Sequence, residues 1–217
     1  MDNQTDHGKK RGELHIISTG RQSPETFASI AAEINEYVDV FHLREKAWSD
    51  RDMVEAIELL QSKGIPPEKI VVNNRTDVAH VTGVRGVQLA HHSIDVSSVR
   101  SAFGHLSIGC SVHSVKEAVS AADQGADYLL FGHVYPTSSK PGLAPKGLTG
   151  LRQVVRGASV PVIAIGGITP ENTRGTIQNG ASGIAVLSGV LLAEDPVKKA
   201  KAYKEEIRRV AEDEQTV

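Results

Sequence analysis

Short runs of β-branched and other apolar residues alternate along the chain with longer segments of helical periodicity. Such runs predict buried strands, and eight of them are found, over Leu14–Ser18, Val38–Leu43, Ile70–Asn73, Gly86–Leu89, Leu106–Ser111, Tyr128–Phe131, Val162–Ile165 and Gly183–Leu187. Helical spacing is clearest over Pro24–Tyr37, Asp50–Lys63, Ser114–Gln124, Leu148–Arg156, Pro170–Asn179 and Pro196–Asp213. Two shorter segments, Arg75–Val81 and Asp95–Phe103, also have a helical pattern.

Strands that alternate with helices indicate βαβ units and a parallel sheet. Eight such units predict an α/β fold with one domain, a closed (β/α)8 TIM barrel. An open doubly wound sheet is the alternative, although nothing like GxGxxG follows the first strand. Ser23 and Thr169 each precede a proline and predict helix starts, whereas Gly64, Gly125 and Gly180 predict helix ends.

The polar residues 1–12 predict a flexible tail, and residues 13–217 form the expected barrel domain. Net charge is −2 and aromatic residues make up 4%, so neither nucleic acid nor an anionic membrane is an expected partner. The first residues lack the apolar core of a secretory leader, and no apolar run is long enough to span a membrane. Cys110 is the only cysteine. A cytoplasmic protein is expected, and a homo-oligomer is compatible with the sequence.

The loop that follows the sixth strand combines a histidine with hydroxyl groups and a cation. His133 comes directly after the strand, and Thr137, Ser139 and Lys140 follow within the loop. In parallel barrels the reacting groups lie at the carboxyl ends of the strands. Histidine can give and take a proton near neutral pH, so His133 is a candidate acid–base residue, and a hydrogen-bonded histidine that only supports the loop is the alternative.

Glycines leave the last two strands. Gly166 and Gly167 follow the seventh strand, and Leu187, Ser188 and Gly189 follow the eighth, where a short extra helix is expected. Glycine lets the backbone approach an oxyanion closely, and these two exits are the usual phosphate site of a (β/α)8 barrel. The pattern predicts a phosphate site, whereas tight turns alone are the alternative.

No acidic cluster marks a metal site at the strand ends. The ends of the third and fourth strands offer Asn73, Asn74 and Ser93, which are neutral, whereas Mg²⁺ is usually bound through one or two carboxylates. His91 and His92 are adjacent, so on a strand they would point to opposite faces. We therefore expect chemistry without a metal or another cofactor.

Seven segments resemble the thiamine phosphate synthase superfamily: HLREK (42–46), NNRTDVA (73–79), GVQLAHHSID (86–95), IGCSVHSVKEA (108–118), GADYLLFGHVYPTSSK (125–140), PVIAIGGITPEN (161–172) and GIAVLSG (183–189). The resemblance runs in order over nearly the whole chain and implies a (β/α)8 barrel. Synthases of this superfamily join a pyrimidine pyrophosphate to a thiazole phosphate with the help of Mg²⁺.

Four departures from the synthase pattern favour the thiazole tautomerase (TenI-like) branch. His42 replaces a glutamine, Asn74 and Ser93 replace two metal-binding aspartates, and His133 replaces the proline of FGPV. The resemblance to that branch implies an isomerase that aromatises a carboxythiazole phosphate made by thiazole synthase, with His133 as the catalytic proton carrier and Ser111 beside it.

The same resemblance implies roles for the other candidates. Arg44, Lys46 and Lys140 would hold anionic groups of the substrate, and Thr137 and Ser139 would add polar contacts. The phosphate would lie at the two glycine-bearing exits. Two alternatives remain open: a thiamine phosphate synthase with atypical magnesium ligands, and a module that binds thiazole phosphate without turnover.

Overall fold

The computed structural model describes residues 12–90 and 92–215. Within them, eight parallel strands pair in chain order and the eighth returns to the first, so the sheet closes into a barrel. The strands are β1 (Glu13–Ile17), β2 (Val40–Leu43), β3 (Ile70–Asn73), β4 (Gly86–Leu89), β5 (Ser107–Val112), β6 (Tyr128–Gly132), β7 (Val162–Ile165) and β8 (Gly183–Val186). The predicted (β/α)8 barrel is confirmed.

Helices follow the strands and cover the outside of the barrel. They are α1 (Pro24–Ile34), α2 (Asp50–Ser62), α3 (Thr76–Thr82), α4 (Val96–Ala102), α5 (Val115–Asp123), α6 (Gly147–Gly157), α7 (Pro170–Gln178), α8 (Ser188–Leu191) and α9 (Pro196–Gln215), with a 3-10 turn at Pro67–Lys69. The Ser23 hydroxyl accepts from the Thr26 amide and caps α1, as predicted. Of the predicted tail, residues 1–11 lie outside the described residues.

Side-chain alternation along the strands divides the core into two parts. Outward-facing residues such as Leu14, Ile16 and Phe41 are fully buried beneath the helices. Inward-facing residues fill the barrel, and the apolar ones are grouped around Leu130 and Ile163. Because neighbouring residues on a strand face opposite sides, one strand supplies both layers.

A half-buried carboxylate joins the first strand to the last helix. The Asp39 carboxylate accepts a hydrogen bond from the Leu14 amide at 2.8 Å and another from Lys204 on α9 at 2.5 Å. Lys204 also donates to the Gly12 carbonyl at 3.2 Å. The last helix is therefore fixed to the start of the first strand, next to the seam where β1 pairs with β8. The second strand starts two residues later than predicted, and Asp39, just before it, holds this contact.

Candidate functional site

The exits of β6 and β7 pack directly against each other at the carboxyl end of the barrel. The Val134 amide donates to the Ile165 carbonyl at 2.9 Å, and the Tyr135 amide donates to the Gly166 carbonyl at 3.0 Å. Gly166 has φ +96°, and a Cβ there would lie 2.3 Å from the Cβ of His133. Gly167 has φ +67° and meets Pro136 equally closely. Only glycine fits this joint, because both its conformation and its contacts exclude a side chain.

His133 is buried in the same joint, with 5% of its surface exposed. Its Nε2 lies 3.2 Å from the Leu143 carbonyl oxygen, and its own carbonyl accepts from the Lys146 amide at 2.9 Å. A carbonyl only accepts hydrogen bonds, so Nε2 carries a hydrogen. The imidazole thus connects the loop that follows β6 to the segment that leads into α6. This contact is the one expected if His133 only supports the loop, which is the alternative to an acid–base role.

Three residues of the loop lie on the rim of the carboxyl end of the barrel, which we call the mouth: Thr137, Ser139 and Lys140. The Ser139 amide donates to the Thr137 hydroxyl at 3.2 Å. The ammonium of Lys140 lies 3.4 Å from Nε2 of His113, at the exit of β5. The geometry therefore places Lys140 beside His113, between the exits of β5 and β6.

The exits of β1 and β2 are also hydrogen-bonded to each other. The Ser18 hydroxyl accepts from the Arg44 amide at 2.8 Å, and the Ser18 amide donates to the His42 carbonyl at 2.9 Å. The side chain of Arg44 is half-buried and that of Lys46 is exposed. Both cations thus follow β2, where hydrogen bonds to Ser18, the residue after β1, fix the backbone.

The exit of β8 leads at once into the four-residue helix α8. Ser188 and Gly189 are exposed and Leu187 is half-buried. The Tyr203 hydroxyl donates to the Ile168 carbonyl at 2.9 Å, and a Cβ on Gly189 would lie 2.8 Å from that hydroxyl. Tyr203 thus braces the β7 and β8 exits, which carry the predicted phosphate-binding residues, against α9.

Comparison with known proteins decides the family. A model described as thiamine monophosphate synthase (TMP-TENI) matches residues 14–190. The chain is 36% identical to the thiamine-phosphate synthase of Pyrococcus furiosus over 92% of this chain and 95% of that protein. It is 37% identical to the thiamine-phosphate synthase of Chloroflexus aurantiacus, over 92% and 88% of the two chains. The chain belongs to the thiamine monophosphate synthase family.

Structural comparison agrees with this assignment. The solved structure of a thiamine phosphate pyrophosphorylase from Pyrococcus furiosus aligns with a TM-score of 0.80 at 32% identity and covers 93% of this chain and 98% of the other. A 3-hexulose-6-phosphate synthase aligns with a TM-score of 0.69 at 18% identity, which shows the shared barrel fold alone.

These relatives correct the predicted reaction. The expectation of a thiazole tautomerase, an isomerase, is wrong, because the curated relatives over most of the chain are thiamine-phosphate synthases, which are transferases. Four single-residue departures from the synthase pattern are outweighed by the similarity of the whole chain. The catalytic role predicted for His133 depended on the tautomerase reaction.

The neutral residues at the two positions where the synthase pattern has metal-binding aspartates contact each other. The Ser93 hydroxyl donates to the amide oxygen of Asn74 at 2.5 Å, and the Ala90 amide donates to the Ser93 hydroxyl at 2.7 Å. His92 lies 3.3 Å from the Asn74 amide nitrogen, and His91 lies outside the described residues. The described donor set has no carboxylate and its amide oxygen already accepts a hydrogen, so it does not fit Mg²⁺. Over residues 12–90 and 92–215, no group of three or more His, Cys, Asp or Glu side chains is arranged to hold a metal ion.

The interior of this family member holds a polar cluster that the sequence reasoning missed. His15 on β1 and His42 on β2 are completely buried, and their rings are hydrogen-bonded at 3.0 Å between Nδ1 of His15 and Nε2 of His42. Nε2 of His15 lies 3.1 Å from the Glu13 carboxylate. Tyr128 on β6 contacts both rings edge-on. The available signal was the alternation Glu13, Leu14, His15 along β1, which puts two polar side chains on the inward face.

This buried histidine pair predicts an acid-sensitive fold. Burial lowers the pKa of His15, partly offset by Glu13, and burial together with His15 and Arg85 holds the pKa of His42 well below its ordinary value. Above about pH 6.5 both states are neutral at these rings; as the pH falls below that value, only the unfolded chain binds the protons. Each histidine should therefore lower the unfolding free energy by up to about 1.4 kcal/mol for each pH unit below about 6.5.

Thermal unfolding from about pH 8 to about pH 5 measures this dependence. The His15→Gln, His42→Gln double variant should have a shallower slope below pH 6.5. His105→Gln is the matched control, because His105 is exposed on the surface beside His80 and should leave the slope as it is. An unchanged slope in the double variant would show that the interior pair does not carry the effect.

Proposed function

We propose that this protein is a transferase of the thiamine-phosphate synthase type, which joins a pyrimidine pyrophosphate to a thiazole phosphate. One observation carries the proposal: the near full-length similarity to the Pyrococcus furiosus enzyme, at 36% identity. Both substrates are small phosphorylated molecules, which the mouth of a (β/α)8 barrel commonly binds. The proposed site contains the residues that the sequence predicted, now assigned to a joining reaction.

Joining the two substrates releases diphosphate, so the site must offset negative charge as the bond to the leaving group breaks. The cations available at the mouth are Arg44 and Lys46 after β2 and Lys140 after β6. Arg44 presents a planar group that can hold two phosphate oxygens at once, whereas each lysine acts as a point charge. We assign the diphosphate to these three residues.

The thiazole phosphate is assigned to the exits of β7 and β8. Gly166 and Gly167 give the ligand access to the backbone, and Ser188 and Gly189 supply a hydroxyl and a second backbone segment without a bulky side chain. Leu187 would contact the apolar part of the ring. The tight packing of Gly166 against His133 supports this assignment, because it fixes the position of the peptide groups before ligand arrives.

The remaining candidates are assigned to positioning. His133 holds the β6 loop through the Leu143 carbonyl, and Thr137 and Ser139 on that loop would contact the substrate. The Ser111 hydroxyl accepts from the Gln88 amide at 3.1 Å and would face the pyrimidine side of the mouth.

The proposal extends to partners and location. Small-molecule phosphates are the proposed partners, a homo-oligomer is compatible with the fold, and the thiazole phosphate would come from the reaction that forms the thiazole ring. A single cysteine supports a reducing, cytoplasmic location. No helix among the described residues is both long and apolar enough to cross a bilayer.

The direct test is to incubate the purified protein with pyrimidine pyrophosphate and thiazole phosphate and to measure thiamine phosphate by chromatography. We expect product that depends on both substrates. Parallel reactions with added Mg²⁺ and with EDTA separate turnover itself from its metal requirement, since the Asn74–Ser93 pair offers no charge to a cation. Absence of thiamine phosphate under both conditions would refute the transferase.

A module that binds thiazole phosphate without turnover is the second candidate. The neutral Asn74–Ser93 pair favours it, because both carboxylates of the synthase pattern are missing. Calorimetric titration with thiazole phosphate distinguishes the two: binding without any thiamine phosphate in the assay supports the module, and product formation excludes it.

A further inference from the structure

We propose that the inside of the barrel is a binding site for water, formed by His42 on β2, Gln88 on β4 and Tyr128 on β6. These side chains are 0%, 1% and 6% exposed. Each carries a buried polar atom without a hydrogen-bond partner among the described residues: Nδ1 of His42, the amide oxygen of Gln88 and the hydroxyl of Tyr128. Buried polar groups are nearly always paired, with protein or with ordered water.

Two of these atoms converge on one point. A Cβ built on Gly109 would lie 2.3 Å from the Gln88 amide oxygen and 2.4 Å from the Tyr128 hydroxyl, so these two oxygens are within about 5 Å of each other. A water molecule can bridge polar atoms at this separation. The ring of His42 stands nearly perpendicular to that of Tyr128, with 6.4 Å between centroids. The three groups therefore line the same interior space.

The Glu13 carboxylate determines, through His15, whether Nδ1 of His42 donates or accepts a hydrogen bond. A carboxylate accepts, so His15 carries its hydrogen on Nε2, 3.1 Å from Glu13. Nδ1 of neutral His15 is then an acceptor, and Nε2 of His42 must donate to it across 3.0 Å. Neutral His42 is left with a bare Nδ1, which is an acceptor that requires a donor.

Gln88 needs a donor as well. Its amide nitrogen donates to the Leu89 carbonyl at 3.3 Å and to the Ser111 hydroxyl at 3.1 Å. These two hydrogen bonds identify the other end of the side-chain amide as the oxygen. A ligand between His42 and Gln88 must donate two hydrogens, and it must also accept one if the Tyr128 hydroxyl, which can donate or accept, donates to it. Water meets all of these requirements, whereas an ammonium ion cannot accept and a halide or a carboxylate cannot donate. The contact from Gln88 to Ser111 connects this water site to the mouth.

Replacement of the tyrosine hydroxyl gives the first test. If water binds the Tyr128 hydroxyl, Tyr128→Phe leaves a hydrogen-bonding group of the site unpaired and should lower Tm by about 2–4 °C. Tyr203→Phe is the matched control, because the Tyr203 hydroxyl is visibly paired with the Ile168 carbonyl. A Tyr128→Phe variant that is as stable as the natural protein or more stable, while Tyr203→Phe is destabilised, overturns the proposal.

Neutron diffraction from the natural protein in D₂O gives the second test and needs no variant. We expect deuterium on Nε2 of both His15 and His42, and a D₂O molecule in hydrogen-bond contact with Nδ1 of His42 and the Gln88 oxygen. Deuterium on Nδ1 of His42, or no water density between these side chains, overturns the proposal. Neither test depends on the transferase reaction, so either proposal can fail without the other.

Discussion

Gly166→Ala is expected to remove a large part of the stability of the folded protein. The added methyl group would lie 2.3 Å from Cβ and 2.7 Å from Cα of His133, and the backbone would have to keep φ at +96°. The left-handed conformation costs an alanine about 1–2 kcal/mol, and overpacking of this joint adds about 1–3 kcal/mol. Chemical unfolding followed by circular dichroism would measure the total, which we expect to be about 2–5 kcal/mol.

Gly175→Ala provides a control with the same chemical change and the opposite sign. Gly175 lies within α7, and a Cβ there meets nothing within 4 Å. Alanine in a helix interior should increase the unfolding free energy by about 0.4–1 kcal/mol. If both variants changed stability alike, the close approach of the β6 and β7 exits would not be the cause of the loss at residue 166.

Arg44→Ala is expected to lower kcat/KM for thiamine phosphate formation by about 100-fold, with little change in Tm. Removal of one preorganised group that stabilises developing negative charge typically costs this much. Arg44 is half-buried, and its backbone amide donates to the Ser18 hydroxyl. This hydrogen bond fixes the backbone position from which the side chain extends. Steady-state kinetics with the pyrimidine pyrophosphate as the varied substrate would measure the effect.

Two further variants sharpen this test. Arg44→Lys keeps the charge but loses the two-pronged contact, so it should recover only part of the activity. Arg51→Ala removes a cation that lies on α2, exposed and paired with Glu55, and should leave the kinetics unchanged. Equal losses in Arg44→Ala and Arg51→Ala would mean that net charge, not the position of Arg44, supports the reaction.

The fold could be predicted because its signals are local. Strands such as Ile70–Asn73 and Val162–Ile165 are bounded as predicted, since an apolar run between turn residues has few other ways to be buried. Some ends differ: α1 stops at Ile34, not Tyr37. The reason is a tertiary contact, because Lys69 donates to the backbone and side-chain oxygens of Asn35, and no local pattern contains it.

The contacts inside the barrel depend on the register between neighbouring strands, which the sequence of a single segment does not reveal. The partner of His42 is His15, and their contact follows from the pairing of Ile17 with His42 across β1 and β2. Likewise, the partner of His133 is the Leu143 carbonyl, ten residues further along an irregular loop. Residue types at strand exits therefore supplied the candidates for the site, whereas their hydrogen-bond partners required the folded chain.

The contact among Asp39, Leu14 and Lys204 has a consequence for the order of folding. It lies where Glu13 pairs with Gly183, so the ladder that closes the sheet joins residues from opposite ends of the chain. Contacts between such distant residues are entropically expensive and tend to form late. On the ribosome, the first strand would have to wait with an unpaired edge until the eighth strand and the last helix have been synthesised.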